Sequence, residues 1–136
     1  MLSDFIQKYR DFQFSNLKHS HQTPELKVYI LINGSLKLGK GKIGSQVGHA
    51  IQLLTENLGN SNLWKKYQSC GIPKIVLNVP SEEQFIEILE ETKDIFKVYV
   101  IDAGKTQCAE NSMTCVAYIP MSKKEIPRCL TNLKLV

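Results

Sequence analysis

The chain has 136 residues, 43% of them hydrophobic, and a formal net charge of +4, enough apolar material for the core of one compact domain. No run approaches the roughly 20 apolar residues that a bilayer-crossing helix needs. "MLSDFIQKYRDFQF" has neither the basic start and long apolar centre of a secretory leader nor the pattern of a transit peptide, so a soluble, cytoplasmic protein is expected.

Four cysteines, Cys70, Cys108, Cys115 and Cys129, are scattered without a CxxC pair, which argues for reduced thiols rather than a disulfide scaffold. His19 and His21 stand in a polar stretch without zinc spacing, and no metal site is expected. The charge is unevenly spread. Residues 25–70 carry six positive and two negative side chains, residues 71–101 three and six, and residues 122–136 four and one. Such blocks suit one basic face toward a polyanion, though a solvated charged surface produces the same count.

In chain order, residues 1–24 are polar with interspersed aromatics and end at Pro24, which predicts a short helix plus linker appended to a domain over 25–136. "LKVYILIN" (Leu26 to Asn33) is an apolar, β-branched run closed by Gly34, the signature of a strand buried on both faces. From Lys42 to Leu58, apolar residues recur at Ile43, Val47, Ile51, Leu54 and Leu58, an amphipathic helix closed by Gly59. "NLWKKYQSCG" predicts a second short helix stopped by Gly71, and "KIVLNV" (Lys74 to Val79) the next strand. "SEEQFIEILEETKD" opens with Ser81 and Gln84 as a capping box and places Phe85, Ile88 and Leu89 on one face of a helix. "KVYVID" and "TCVAYIP" predict two further strands, from Lys97 and Thr114, near enough to pair antiparallel. The tail after Met121 holds a short helix, with Pro127 fitting only its first turn or its end. This order predicts an α/β fold, a three-layer α/β/α sandwich around a small four-stranded mixed sheet in a single domain.

"GSLKLGKG" is one residue from the phosphate-binding pattern GxxxxGK[ST], in which backbone N–H groups cradle phosphates and the final hydroxyl ligates magnesium. Gly41 stands where that hydroxyl belongs, and no acid follows "KIVLNV", so a nucleotide hydrolase is set aside. The lysines then need another reading. At about 100° per residue, Lys42, Gln46 and His49 form a polar ridge of their own beside the apolar stripe, starting at a helix N-terminus that favours anions. A solvated helix face reads equally well. Gly44 and Gly48, four apart, admit close approach of a strand or substrate, or simply helix packing. After the strand "KVYVI" comes "DAGKTQ", whose Asp102 is either a turn residue or an acid facing Lys42. Cys108 beside that loop has only Lys105 nearby to activate it, and a nucleophilic role is not expected.

Taken together, "SLKLGKGKIGSQVGHA", "DAGKTQ", "MTCVAYIP" and the closing "NLKLV" resemble the archaeal and eukaryotic type of peptidyl-tRNA hydrolase, from about Leu26 to Val136. The resemblance implies a four-stranded mixed sheet flanked by helices, a homodimer, no metal or organic cofactor, and hydrolysis of the ester joining peptide to tRNA. Its proposed active-site positions fall on Lys42, Asp102, Thr106 and Thr114, with Gln46, His49 and Gln107 in the surrounding motifs. The chain departs from the family at Ser35, where an acid is usual, at Gly44 and Ser45, where small apolar residues are usual, and at "AENSM", which replaces a Pro-Gly turn.

Ester hydrolysis requires a positioned water, a proton acceptor and positive charge where the oxyanion develops. On that reading Asp102 orients or deprotonates the water, Lys42 stabilises the oxyanion or holds Asp102 ionised, and Thr106 and Thr114 supply hydroxyls. His49 makes either a structural hydrogen bond or an RNA contact. Lys37, Lys40, Lys123, Lys124 and Arg128 are expected to bind tRNA phosphates. The alternative is a non-catalytic RNA- or protein-binding module on the same fold.

Overall fold

The structure, a computed structural model, describes residues 1–14, 24–102 and 111–136. Its centre is β1 (Leu26–Asn33), whose side chains alternate between two cores. Val28, Ile30 and Ile32 enter one cluster, and Leu31 with Tyr29 enters the other. A strand buried on both faces has no polar alternation to show, which is why the run reads as continuously apolar.

Asn33 leads into a 3-10 turn over Gly34–Leu36 and then into α2 (Lys40–Leu58). The helix starts two residues before the predicted Lys42, with Gly39 as its N-cap. Close approach explains Gly34, since a Cβ there would lie 2.4 Å from the Asn78 amide oxygen and 2.7 Å from the Val79 carbonyl. Next come α3 (Asn62–Ser69), capped by the Ser61 hydroxyl, and a turn at Gly71 with φ 88°, a left-handed conformation that glycine adopts without strain. β2 (Lys74–Val79) returns parallel to β1, with Val28 opposite Lys74 and Asn33 opposite Val79.

Ser81 caps α4 (Glu82–Glu91) by accepting from the Gln84 amide. Among the described residues only this half of the predicted capping box forms. The faces agree with expectation, Phe85 and Ile88 buried and Leu89 packed against them. β3 (Lys97–Asp102) and β4 (Ser112–Tyr118) pair antiparallel, and β4 pairs antiparallel with β1. The tail forms β5 (Met121–Ser122), a 3-10 turn, the single-turn α5 (Arg128–Thr131) with Pro127 as N-cap, and β6 (Lys134–Leu135). A further helix, α1 (Leu2–Phe14), comes before β1 in the chain.

The sheet order is β3-β4-β1-β2-β6, with β5 also on β1. The expectation of four strands is thereby corrected: among the described residues, four long strands are joined by two of two residues each. Such pairs carry too little pattern to read from sequence. The detail of the three-layer α/β/α sandwich differs slightly as well. α2 and α3 cover one face, while the other is covered by α4 and the single turn of α5. The α/β class stands.

Candidate active site

Two elements distant in sequence meet at the carboxyl end of β1. Val98, Val100 and Asp102 alternate along β3 toward α2, so period two delivers the Asp102 carboxylate to the helix. Lys42, one turn into α2, forms an ion pair with Asp102 Oδ2, and the two side chains are only 13% and 4% exposed. A buried pair of this kind persists only when both charges are mutually held, because either alone loses its hydration.

Beneath the pair, a bulge in the β3–β4 ladder redirects β4. Val100 lies opposite Cys115, but the next residue, Ile101, lies opposite Met113. Thr114 is therefore the extra residue, and a bulge re-aims side chains. Both Thr114 and Cys115 consequently reach α2. The Thr114 hydroxyl, fully buried, donates to Gln46 Oε1 at 2.6 Å and lies 3.2 Å from the Val100 carbonyl, so its one proton serves two acceptors. The Cys115 thiol donates to the Gln46 carbonyl at 3.4 Å. Burial pushes that thiol up to about 12, which makes it a packing group and not a nucleophile. Thr114 thereby fixes Gln46, which stands one helical turn from Lys42.

The loop before α2 is tied to the same strand. Asn33 Nδ2 donates to the Met113 carbonyl at 3.0 Å, and Asn33 Oδ1 accepts from the Ser35 hydroxyl at 2.6 Å and the Ser35 amide at 3.3 Å. Ser35, where the resembled family usually has an acid, thus closes the turn with its hydroxyl. Asn111 has φ 63° and donates its N–H to the Asp102 carbonyl at 2.8 Å, anchoring the last residue of β3. Asparagine tolerates this left-handed conformation better than most residues, which accounts for the missing glycine.

An open cleft of about 560 Å³ extends from the pair along α2 and β3. His49 lines it with an exposed ring and has no hydrogen bond to the described residues, so the structural bond considered for it does not form there. Among the described residues, nothing lies within 4 Å of an added Cβ at Gly44 or Gly48.

Lys37 and Lys40 are exposed at the same end of the molecule as Lys42, and Lys37 carries φ 52°. Lys123 and Lys124 are not brought to this end. They follow β5, which pairs with Leu26 and Lys27 at the opposite end of β1, about 23 Å away at 3.3 Å per residue. There they line a second cavity of about 940 Å³ with Lys27, Tyr29 and Ile126. Arg128 is exposed at the start of α5. Thr106, Gln107 and Cys108 lie outside the described residues. Among the described residues no group of three or more His, Cys, Asp or Glu side chains is placed to hold a metal, and no helix is long and apolar enough to cross a membrane.

Several contributors escaped the sequence reading. Asn33 looks like a strand-ending residue, and Tyr99, Ile101, Leu53 and Glu56 carry no motif, yet the last four line the cleft. Periodicity along α2 was the one available signal, since Leu53 and Glu56 extend the ridge of Lys42, Gln46 and His49 by about two turns.

The sequence model of the family described as Peptidyl-tRNA hydrolase PTH2 matches residues 26–136. Among similar proteins, the peptidyl-tRNA hydrolase of Sulfurisphaera tokodaii is 36% identical over 118 residues, covering 81% of this chain and 98% of the relative. That of Saccharolobus solfataricus is 33% identical over 119 residues, covering 82% and 99%. The mitochondrial peptidyl-tRNA hydrolase 2 of Bos taurus is 34% identical over 118 residues, covering 84% of this chain and 66% of the relative. The chain thus spans nearly the whole of the archaeal relatives and about two-thirds of the mammalian one, and it belongs to the peptidyl-tRNA hydrolase PTH2 family.

Proposed function

We infer that this chain hydrolyses peptidyl-tRNA, cutting the ester between the peptide carboxyl and the terminal ribose of the tRNA and so returning the tRNA to use. The observation that carries the reading is the buried Lys42–Asp102 pair at the mouth of a cleft beside a helix N-terminus. A carboxylate has lone pairs for more than one donor, so Asp102 holds Lys42 and orients the attacking water together. The Lys42 ammonium and the first N–H groups of α2 supply positive charge where the tetrahedral oxyanion develops. Gln46, fixed by Thr114 and Cys115, borders the reacting carbonyl. Thr106 adds a hydroxyl, Gln107 supports it, and His49 contacts the substrate from the cleft wall. The reaction needs no metal or organic cofactor.

Lys37 and Lys40 take phosphates next to the ester, and Lys123, Lys124 and Arg128 take phosphates farther along the tRNA, so affinity falls steeply with salt. Residues 1–24 are an appendage to the hydrolase domain at 25–136. We further propose a cytoplasmic homodimer. The bovine relative is mitochondrial by name, so imaging of the tagged full chain tests location, and sedimentation tests the dimer.

The deciding assay follows ester cleavage of N-acetyl-aminoacyl-tRNA by the wild type, Lys42→Ala and Asp102→Ala, with and without a chelator. Both variants are expected to lose at least about a hundredfold in kcat/KM, the scale of lost oxyanion stabilisation, and the chelator to change nothing. Undiminished cleavage by both variants sinks the site. Folded wild type that binds tRNA without cleaving it returns the chain to a binding module.

A further inference from the structure

The cleft beside the Lys42–Asp102 pair has a shape that ester hydrolysis alone does not explain. Four consecutive residues of β3 line it, Tyr99, Val100, Ile101 and Asp102. Side chains in a strand alternate faces, so four in a row cannot line one face. The cleft runs along the strand's edge. β3 is the terminal strand of the sheet order, paired only with β4 among the described residues. The Ile119 amide donates to the Phe96 carbonyl, so the alternation of an antiparallel ladder turns the N–H and C=O of Lys97 and Tyr99 outward.

Exposed edges are ordinarily defended by charge, proline or a covering element. Between Val98 and Ile101 this one has none of those side chains, and Tyr99 and Ile101 are 43% and 56% exposed. α2 forms the opposite wall with Gln46, His49, Gln52, Leu53 and Glu56. From Lys42 to Glu56 that wall is about 21 Å long at 1.5 Å per residue, the reach of about six extended residues.

We propose that the peptide part of the substrate binds in this groove as an added strand on the edge of β3. The inference rests on the peptidyl-tRNA reading, because it places the ester at one end of the groove. The peptide's final carbonyl must sit at Lys42 and Asp102, so its chain runs back toward Tyr99 and Glu56, parallel to β3. Main-chain hydrogen bonds to Tyr99 and Lys97 hold it, as in other strand additions to open edges. Recognition through the backbone accepts any side-chain sequence, which suits an enzyme whose substrates share only their peptide backbone.

The test uses the full chain and N-acetyl-peptidyl-tRNAs of one to six residues. With each residue that reaches an outward-facing group of β3, kcat/KM is expected to rise about three- to tenfold, levelling off near six, since one hydrogen bond contributes on that scale. N-methylation of the amide at the paired position removes that residue's gain. Tyr99→Pro, which deletes an outward N–H, flattens the length dependence, whereas Tyr99→Val keeps it. The substrate series alone decides if the proline variant does not fold. A length-independent kcat/KM in active wild type overturns the proposal and leaves the hydrolase reading intact. Failure of folded wild type to cleave any substrate overturns both. Conversion of a dimer to a monomer by Tyr99→Pro assigns the edge to a second copy and also overturns the proposal.

Discussion

Replacing Lys42 by methionine takes the Lys42 ammonium away from the Asp102 carboxylate, which is 4% exposed. Two unit charges 4 Å apart at an effective dielectric of 20 attract by about 4 kcal/mol, and much of that offsets the desolvation of both groups. Removing one partner exposes the uncompensated penalty of the other, about 3 kcal/mol for a buried pair. Lys42→Met should cost more than Asp102→Asn. The carboxylate is the more deeply buried member, whereas a stranded lysine at 13% exposure can extend its ammonium toward solvent. The double variant Lys42→Met/Asp102→Asn buries no charge and should recover at least about 2 kcal/mol relative to the sum of the single losses. Urea unfolding of the four proteins reads this directly. At about 1.5 kcal/mol/M, the Lys42→Met midpoint falls by about 2 M, while the double variant lies nearer the wild type. Activity should behave differently, with the double variant as inactive as the worse single one, because the pair acts as a unit. Additive stability losses, or a Lys42→Met loss below about 0.5 kcal/mol, would refute the argument that the pair is buried and mutually dependent.

Asn111 adopts a left-handed conformation where Asp102 is anchored. Asn111→Gly should leave thermal stability equal or slightly higher, and Asn111→Val should lose about 1–2 kcal/mol, an order that calorimetry checks and that equal effects would contradict. Cys115, its thiol pushed up to about 12 by burial, should resist alkylation at pH 8 until the protein is unfolded, as mass spectrometry of labelled peptides would report. Rapid native labelling would place it outside the core. Hydrogen bonds from the Ser122 backbone and side chain hold the Glu125 carboxyl below its ordinary value of 4.5. Its stabilisation is therefore present above about pH 4.5 and lost as pH falls through the lowered folded value. The melting-temperature gap between wild type and Glu125→Gln should shrink from pH 7 to pH 3, and a constant gap would show that the bond does not couple to folding.

The elements that could be read in advance are those with strong local signals. α2 follows from a 3.6-residue stripe, α4 from Ser81 and its buried face, and β1 from an unbroken apolar run. β5 and β6 could not be read, because two residues hold no period and their pairing energy comes from a sheet already formed. The spacing of Gly44 and Gly48 could not say what approaches them, and among the described residues nothing lies within 4 Å of an added Cβ at either. The basic residues were legible as a charge pattern but not as a surface. Lys37 and Lys40 share the end with Lys42, while Lys123 and Lys124 lie at the far end of β1 because β5 pairs with its first residues.

By itself, then, the sequence determined the chemistry available: a lysine heading a polar helical ridge, an aspartate ending a strand, and a glycine where a magnesium-binding hydroxyl would stand. Tertiary structure decided which of these groups meet. Lys42 and Asp102 pair because α2 packs back along β3, which no local pattern can encode across that separation. Thr114 turns toward Gln46 because one extra residue in β4 shifts the register, and period two would have sent it to the other face. Among the described residues, β3 has an open edge only because strand order leaves it last in the sheet, and that order is a property of long-range pairing.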